Sequence, residues 1–417
     1  MQTIVSFGKR WGTVKAIASK SHVHRLLICA ALSDKKTVIK DVTFSADIMA
    51  TVSCLNGYIA DIFVDCDTIT VQPYKKPAAD CVLNLNESGS TYRFLVPVAC
   101  ALGEPVSFTG SIRLSQRPLS PLYELLKKHG CTLSEEGVFP LICSRKLEPG
   151  EFVIPGDVSS QFISGLLFAL PLLDGDSVIH ITGRMESYPY IKMTLEALEV
   201  FGINVEQEEQ SFYVKGNQQY ISPKEVVAEG DWSNAAFFVG LGAMSEKGIR
   251  VENASENSLQ GDKQIIDIVK WMGAKVEQNE SSVFVSGGEL TGTRIDASNI
   301  PDLVPILAVL GCAAKGETVI YNASRLRLKE SDRIESIFNM LINLGADIKK
   351  TDDGFIINGT GKLFSGTVDG ANDHRIVMAS ACASSITDGN VTINGSHAVH
   401  KSYPTFFEDL TKLNLEK

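Results

Sequence analysis

Lys329 and Arg333 stand four residues apart within the run Arg325-Leu326-Arg327-Leu328-Lys329-Glu330-Ser331-Asp332-Arg333, which opens a helical stretch. That spacing predicts one shared helical face. Cations at a helix start oppose its positive dipole end, so an anion is expected there to offset them. A solvated charged face is the competing reading. Asn372-Asp373-His374-Arg375 opens a second helix, and Ile300-Pro301-Asp302 a third, with Pro301 suited to a first turn. Earlier in the chain, Ser19-Lys20-Ser21-His22-Val23-His24-Arg25, Asn86-Glu87-Ser88-Gly89-Ser90-Thr91-Tyr92-Arg93 and Gly156-Asp157-Val158-Ser159-Ser160-Gln161 each lead into an apolar helix. Such turns offer hydroxyls and free N–H groups at a positive helix end, the makings of an anion site. Ser and Thr are also ordinary caps, so the argument rests on three such turns at equivalent places. Arg113-Leu114-Ser115-Gln116-Arg117-Pro118 and His400-Lys401-Ser402-Tyr403-Pro404 read, in isolation, as surface charge.

The elements that must position these turns are repeated. A short strand pattern closing on a turn residue recurs at Thr37–Asp41, Val106–Gly110, Ile179–Gly183, Ile249–Asn253, Thr318–Asn322 and Val391–Gly395. Closing positions 41, 110 and 183 return 212 residues later, at 253, 322 and 395. A glycine ending a helix-like stretch keeps the same beat at Gly57, Gly130, Gly202, Gly273 and Gly345, as a helix C′ residue would. Before the last of these, Ile334, Ile337, Phe338, Leu341, Ile342 and Leu344 form one helical face. The chain thus reads as six units of about 70 residues in two groups of three, each unit longer than the roughly 20–45 residues of a solenoid repeat. The sixth lacks its own final strand, so Thr3–Phe7 is expected to complete it. The chain would then cross between lobes near Trp11–Val14 and again near Lys224–Gly230, forming a hinge. The expected lobes are 1–13 with 229–417, and 14–228.

Composition narrows the function classes. With 44% apolar and 21% charged residues over 417, the chain can bury large cores and is not disordered. A net charge of −10 argues against a protein that grips nucleic acid, but leaves room for a small anion in a local basic pocket. The apolar stretch Phe162–Leu173 is interrupted by Pro171 and falls short of the ~20 residues of a membrane span. No apolar segment follows Lys9 and Arg10, so no signal peptide is expected. Nine cysteines form no CxxC, and Cys29, Cys100, Cys312 and Cys382 lie in apolar runs, as in a reducing cytosol. Cysteines and histidines never fall at metal-ligand spacing. The expectation is a cytoplasmic monomer with no metal, no membrane and no nucleic-acid partner.

Together, Ser19-Lys20-Ser21 with Arg25, Gly89-Ser90 with Arg93, Arg117-Pro118, Ser159-Ser160-Gln161, Ser187 with Tyr190, Pro301-Asp302, Leu328–Arg333, Asn372–Arg375 and Lys401 span almost the whole chain. In that order they resemble the 5-enolpyruvylshikimate-3-phosphate synthase family. The resemblance implies an α/β (α+β) fold of two similar lobes, each of three βαβαββ units in an inside-out, barrel-like arrangement, joined by a two-strand hinge. It implies transfer of the enolpyruvyl group of phosphoenolpyruvate to the 5-hydroxyl of shikimate 3-phosphate, with release of phosphate and no cofactor. Lys20, Ser21, Arg25, Ser159, Ser160, Gln161, Ser187, Asp302 and Lys329 would hold shikimate 3-phosphate, the hydroxyls of Ser159, Ser160 and Ser187 taking its phosphate. Lys20, Gly89, Arg117, Gln161, Arg333, Arg375 and Lys401 would hold phosphoenolpyruvate. Asp302 and Glu330 would handle protons, with Lys20 as the rival donor. The chain departs from the family pattern at Glu87-Ser88-Gly89-Ser90, where many members have Asn-Ala-Gly-Thr, at Arg325, where asparagine is frequent, and at Ala18, where glycine is frequent.

The chemistry explains such a residue set. Both substrates carry a carboxylate and a phosphate, and low dielectric strengthens their mutual repulsion. Lys20, Arg25, Arg117, Lys329, Arg333, Arg375 and Lys401 are expected to supply cations in excess, the arginine forks binding bidentately. The enol carbon must gain a proton, the hydroxyl must attack, and the adduct must lose phosphate, which calls for an acid and a base. With shikimate 3-phosphate mainly on one lobe, its binding is expected to close the hinge and complete the second subsite. The nearest rival is UDP-N-acetylglucosamine 1-carboxyvinyltransferase, a related family that usually carries a reactive loop cysteine, which Arg113–Pro118 lacks. A rival of another class is a non-enzymatic, repeat-built binding ring with basic residues around a pore.

Overall fold

The computed structural model describes residues 1–416. The chain separates into two compact units: Lys20–Ala228 is continuous, and Met1–Ser19 joins the chain from Glu229 onward to make a split unit.

The continuous unit carries three four-stranded sheets of one pattern. In the second repeat the order is Cys81–Asn84, Val106–Thr109, Leu141–Ser144, Thr132–Leu133, the first pair parallel and the others antiparallel. Glu151–Pro155, Ser177–Thr182, Ser211–Val214 and Val205–Glu208 follow the same plan. A parallel pair needs a crossover element, and the helices Gly89–Leu102 and Ser160–Ala169 serve. The first repeat draws its parallel strand from the far end of the unit: Glu225–Val227 pairs with Thr37–Lys40.

The split unit repeats this with two borrowed strands. Lys9–Lys15 is the parallel partner of Ile249–Glu252. Gln2–Val5 pairs antiparallel with Val391–Asn394 and so completes the sixth repeat, as the missing strand requires. The expected lobe limit at residue 14 is displaced. Val14 lies opposite Val251, Ala16 N–H donates to the Glu252 carbonyl at 2.9 Å, and Ser19 N–H to that of Glu229 at 2.7 Å. Residues 14–19 therefore pack in the split unit. The chain leaves it after Ser19, not at Trp11–Val14, because the ladder beside Ile249–Glu252 continues to Lys15.

Helices lie inside and sheets outside in each unit. Every residue of Trp232–Ala243 is buried, the mark of an interior helix, and Val304–Ala313 and His374–Ala383 are nearly as covered. The strand Glu151–Pro155, by contrast, buries Phe152 and Ile154 while exposing Val153, the alternation of a half-solvated sheet. Close helix contact has its own requirement. A Cβ on Gly165 would stand 2.3 Å from the Arg93 carbonyl oxygen, so only glycine lets Ser160–Ala169 lie against Gly89–Leu102. The repeated strand-closing turns are left-handed at Asp41, Asn253 and Asn322, with φ of 56°, 56° and 58°, which Asp and Asn tolerate.

Candidate active site

In the continuous unit the helix starts gather two neighbourhoods. Lys20 opens the helix Lys20–Leu32, and its Nζ pairs with Asp47 at 2.7 Å. Asp47 stands in the first turn of Ala46–Leu55, which Ser45 caps. Arg25 is 2% exposed, and a hydroxyl and two carbonyls are among its partners. Its Nε donates to Thr194 Oγ1 at 2.9 Å, Nη1 to the Ser21 carbonyl at 2.5 Å and Nη2 to the Tyr190 carbonyl at 2.8 Å. The guanidinium also lies 5.2 Å from the Phe94 ring centre, a cation–π contact. Tyr190 and Thr194 belong to the helix Tyr188–Val200, whose cap Ser187 is buried with φ of 54°. Lys20, Ser21, Arg25 and the Ser187 helix start thus share one surrounding.

The second neighbourhood is the start of Gly89–Leu102. Ser88 caps it, and Arg117 lies so close to Gly89 that a Cβ there would meet Nη1 at 2.7 Å. Gln161 is fixed at both ends of its amide: Nε2 donates to Ser90 Oγ and Oε1 accepts from Arg93 Nη1, both at 2.9 Å. Ser159 caps the same helix, accepting from Gln161 N–H at 3.3 Å, and Ser160 follows it, buried.

In the split unit the expected residues converge on one carboxylate oxygen. Asp302 Oδ1 takes Lys329 Nζ at 3.3 Å, Arg333 Nη1 at 2.7 Å and Arg375 Nε at 3.4 Å. Arg333, 1% exposed, also donates to Glu330 Oε2 at 2.7 Å and to Asp373 Oδ2 at 2.8 Å. Burial opposes its charge, yet Asp373, Glu330 and Asp302 outweigh that and hold the guanidinium above its ordinary pKa. Burial draws the Lys329 amine down, with Asp302 acting against it. Lys401 Nζ donates to the Asn372 carbonyl at 2.7 Å, next to Asp373 in the chain. Arg325 Nη2 donates to the Ser298 carbonyl at 2.8 Å.

One expectation is corrected here. Lys329 and Arg333 do not share a helical face. Asp332 accepts from Ile334 and Glu335 N–H at 3.1 and 3.2 Å and starts the helix Arg333–Asn343, leaving Lys329 extended outside it. The two cations meet through Asp302 instead. Within the split unit Lys329, Arg333 and Arg375 pair with Asp302, Glu330 and Asp373.

Sequence reasoning passed over several partners. Asp373 stood in a quoted motif, where its pairing with Arg333, 40 residues away, had no local signal. Asp47, Thr194 and Ser233 had none either. Asp262, 1% exposed, accepts a short hydrogen bond from the Ser233 hydroxyl, and burial with nearby Asp302 pushes its carboxyl up to about 6. Among the described residues no cluster of three or more His, Cys, Asp or Glu is placed to hold a metal ion, and no helix is long and apolar enough to cross a membrane. Cys100 and Cys131, the cysteines nearest in sequence to Arg113–Pro118, are buried, and both thiols are pushed up well above the ordinary range.

Residues 8–410 match the profile of the family EPSP synthase (3-phosphoshikimate 1-carboxyvinyltransferase). The 3-phosphoshikimate 1-carboxyvinyltransferase of Clostridium perfringens (strain SM101 / Type A) is 43% identical over 418 residues, covering 99% of this chain and 98% of its own. The protein of that name from Methanococcus vannielii is 36% identical over 412 residues, 96% of each chain. Among solved structures, EPSP synthase from Acinetobacter baumannii is similar over the full length of both chains, with a TM-score of 0.83 and 26% identity. The enolpyruvyl transferase NikO from Streptomyces tendae shares the fold, at a TM-score of 0.80 and 17% identity over 99% and 98% of the two chains.

Proposed function

The chain belongs to the EPSP synthase (3-phosphoshikimate 1-carboxyvinyltransferase) family, and from that premise we propose that it transfers the enolpyruvyl group of phosphoenolpyruvate to the 5-hydroxyl of shikimate 3-phosphate, releasing phosphate. The observation that carries the reading is the meeting of Asp302 and Glu330 on the single guanidinium of Arg333, each at 2.7 Å. The shared guanidinium fixes in place the two carboxylates expected to handle protons and favours their ionised form, so Glu330 must take up a proton before it can give one.

Lys20, Ser21, Arg25, Ser159, Ser160, Gln161 and Ser187 are assigned to shikimate 3-phosphate, with Asp302 and Lys329 at its reacting hydroxyl. Gly89, Arg117, Arg333, Arg375 and Lys401 are assigned to phosphoenolpyruvate, with Lys20 and Gln161 touching both. Protonation of the methylene carbon by Glu330, or by Lys20, leaves positive charge on the carbon that bears the phosphate oxygen. The 5-hydroxyl then attacks that carbon while Asp302 takes its proton. Loss of a methyl proton and of phosphate from the adduct restores the double bond, so one acid and one base suffice for both halves. The sister transfer to UDP-N-acetylglucosamine is the weaker reading, because Cys100 and Cys131 sit buried with their thiols held protonated. The reading carries with it a cytoplasmic monomer whose required partners are the two small anions. A light-scattering mass of two chains would remove the monomer.

Phosphate release from phosphoenolpyruvate should require shikimate 3-phosphate and should not occur with UDP-N-acetylglucosamine; the reverse pattern overturns the assignment. Asp302→Asn and Glu330→Gln should each lower kcat about 10²–10⁴-fold with KM values within about threefold. Near-normal turnover in either variant removes that residue from proton transfer.

A further inference from the structure

A chain of four hydrogen-bonded side chains runs through the interior of the continuous unit. His24 Nδ1 lies 2.7 Å from Thr51 Oγ1, which lies 2.7 Å from Thr91 Oγ1, and Thr91 donates to Ser88 Oγ at 2.6 Å. His24 is 1% exposed and the other three are fully buried. A hydroxyl has a single hydrogen to give. Thr91 gives its own to Ser88, so Thr51 must donate to Thr91, and His24 Nδ1–H must donate to Thr51. The direction of the whole chain follows, and so does the tautomer of the ring.

Burial, with Lys20 and Arg25 adding repulsion, holds the His24 imidazole well below its ordinary pKa, so the ring stays neutral. Its Nε2 has no hydrogen-bond partner among the described residues, as a bare lone pair against the edge-on Phe94 ring would leave it. The relay therefore begins at a group with one donor, and that donor is fully committed.

Its two ends lie at the two neighbourhoods described above. His24 sits on Lys20–Leu32, between Lys20 and Arg25. Thr51 sits on Ala46–Leu55, the helix whose Asp47 pairs with Lys20. Ser88 accepts not only from the Thr91 hydroxyl but from Thr91 N–H at 3.3 Å, as the cap of Gly89–Leu102. Its oxygen thus fixes the turn from which Gly89 and Ser90 project, the turn against which Arg117 packs. An alanine at position 88 would end the relay at Thr91.

We propose that His24, acting through Thr51 and Thr91, is a positioning residue that sets the Ser88 turn for phosphoenolpyruvate and ties that turn to the helix that holds shikimate 3-phosphate. This rests on the substrate assignment made above and adds the physical link between its two halves. A merely structural network would affect stability alone. A positioning relay affects one substrate selectively and weakens the coupling between the two, which by linkage is mutual.

Thr51→Val keeps the shape and removes the hydroxyl. It should raise KM for phosphoenolpyruvate about five- to tenfold, the scale of one or two lost hydrogen bonds, with kcat within about twofold. Calorimetric affinity for shikimate 3-phosphate alone should be unchanged, while the gain in phosphoenolpyruvate affinity that it confers should shrink. Thr51→Ser, which restores the hydroxyl, should return all of these to wild-type values. Nitrogen-15 NMR should show His24 as the neutral Nδ1–H tautomer from about pH 5.5 to 8. Should Thr51→Val fail to fold, Thr91→Val breaks the relay one link on and carries the same expectations. An unchanged KM for phosphoenolpyruvate, equal losses for both substrates, or an Nε2–H or imidazolium His24 overturns the proposal. Wild-type protein that releases no phosphate overturns the functional reading itself, and the NMR result stands apart from turnover.

Discussion

Arg25 and Arg333 are both buried cations, yet they are held in different ways. Arg25, in the continuous unit, is anchored by a hydroxyl and two carbonyls. Arg333, in the split unit, is anchored by three carboxylates. Neutral anchors orient a guanidinium without cancelling its charge, so Arg25 remains a source of positive field for an anion. Carboxylate anchors offset much of it, and Arg333 also fixes the placing of Asp302 and Glu330. On the proposed assignment Arg25 therefore serves binding alone, whereas Arg333 serves binding and also frames the two carboxylates assigned to proton transfer. His22, pushed down to about 4 by burial and by Arg25, and His24 stay neutral near pH 7, whereas burial and Asp302 raise the Asp262 carboxyl to about 6.

The largest break of this contrast is Arg333→Met. It takes the guanidinium from Asp373, fully buried, and from Glu330, while Asp302 keeps Lys329 and Arg375. Removing one partner of a buried ion pair costs about 3–5 kcal/mol, and kcat should fall more than about a thousandfold as the acid–base pair loses its frame. Urea unfolding and steady-state kinetics check both; stability within about 1 kcal/mol of wild type would show that solvent, not Arg333, compensates the carboxylates. The next largest effect is one of pH. Asp262 is raised from 3.8 to about 6 in the folded chain, so the folded state keeps a proton that the unfolded chain has released. The stability this contributes is complete below about pH 4 and is lost as pH rises through about 6. Asp262→Asn, which cannot ionise, should gain on wild type by about 2–3 kcal/mol across that window and run parallel to it above. Unfolding free energies from pH 4 to 8 test this, and parallel curves throughout would show that Asp262 is not the titrating group.

Particular residues show which of these features the sequence exposed. The six-fold beat was legible because the C′ glycines and every closing turn but that at Gly110 take left-handed backbone at fixed intervals, and few residue types supply it. The lobe limit was missed because Lys9–Lys15 finds its partner at Ile249–Glu252, and a strand carries no mark of what it will pair with. The shared face assigned to Lys329 and Arg333 ignored a readable sign. Asp332 followed three residues later by Glu335 is the pattern of a helix start, and it puts Lys329 outside the helix. The site cations, Asp302 and Glu330 were legible one by one, but their pairings and the part of Asp373 were not, since Asp302, Arg333 and Asp373 meet only after three repeats have packed. Asp262 carried no sign at all: its meaning is its burial beside Ser233 and Asp302.

In the continuous unit the expected effects are smaller and fall on binding. Arg25→Met removes hydrogen bonds from neutral partners, a loss of about 1–2 kcal/mol, well under that for Arg333. KM for shikimate 3-phosphate should rise more than about tenfold with the loss of a charge-assisted contact, while kcat changes little. A kcat collapse equal to that of Arg333→Met would erase the division between the two arginines.

The smallest effect belongs to Gly89→Ala. The added Cβ would stand 2.7 Å from Arg117 Nη1 and 2.9 Å from Cζ, too close for any contact, so something must move. The helix backbone is held by the Ser88 cap, whereas the Arg117 guanidinium is the far end of a flexible side chain and can yield. Stability should therefore change by no more than about 0.5 kcal/mol, since alanine also favours the helix over glycine. The displaced guanidinium is one of the groups assigned to phosphoenolpyruvate, so KM for that substrate should rise about three- to tenfold, with KM for shikimate 3-phosphate unmoved. Arg117→Ala in the Gly89→Ala background should then cost less than Arg117→Ala alone, because a group already displaced has less left to lose. Additive losses in that double-mutant cycle would show that Gly89 and Arg117 act separately, and that glycine is required at this turn for the substrate's own approach.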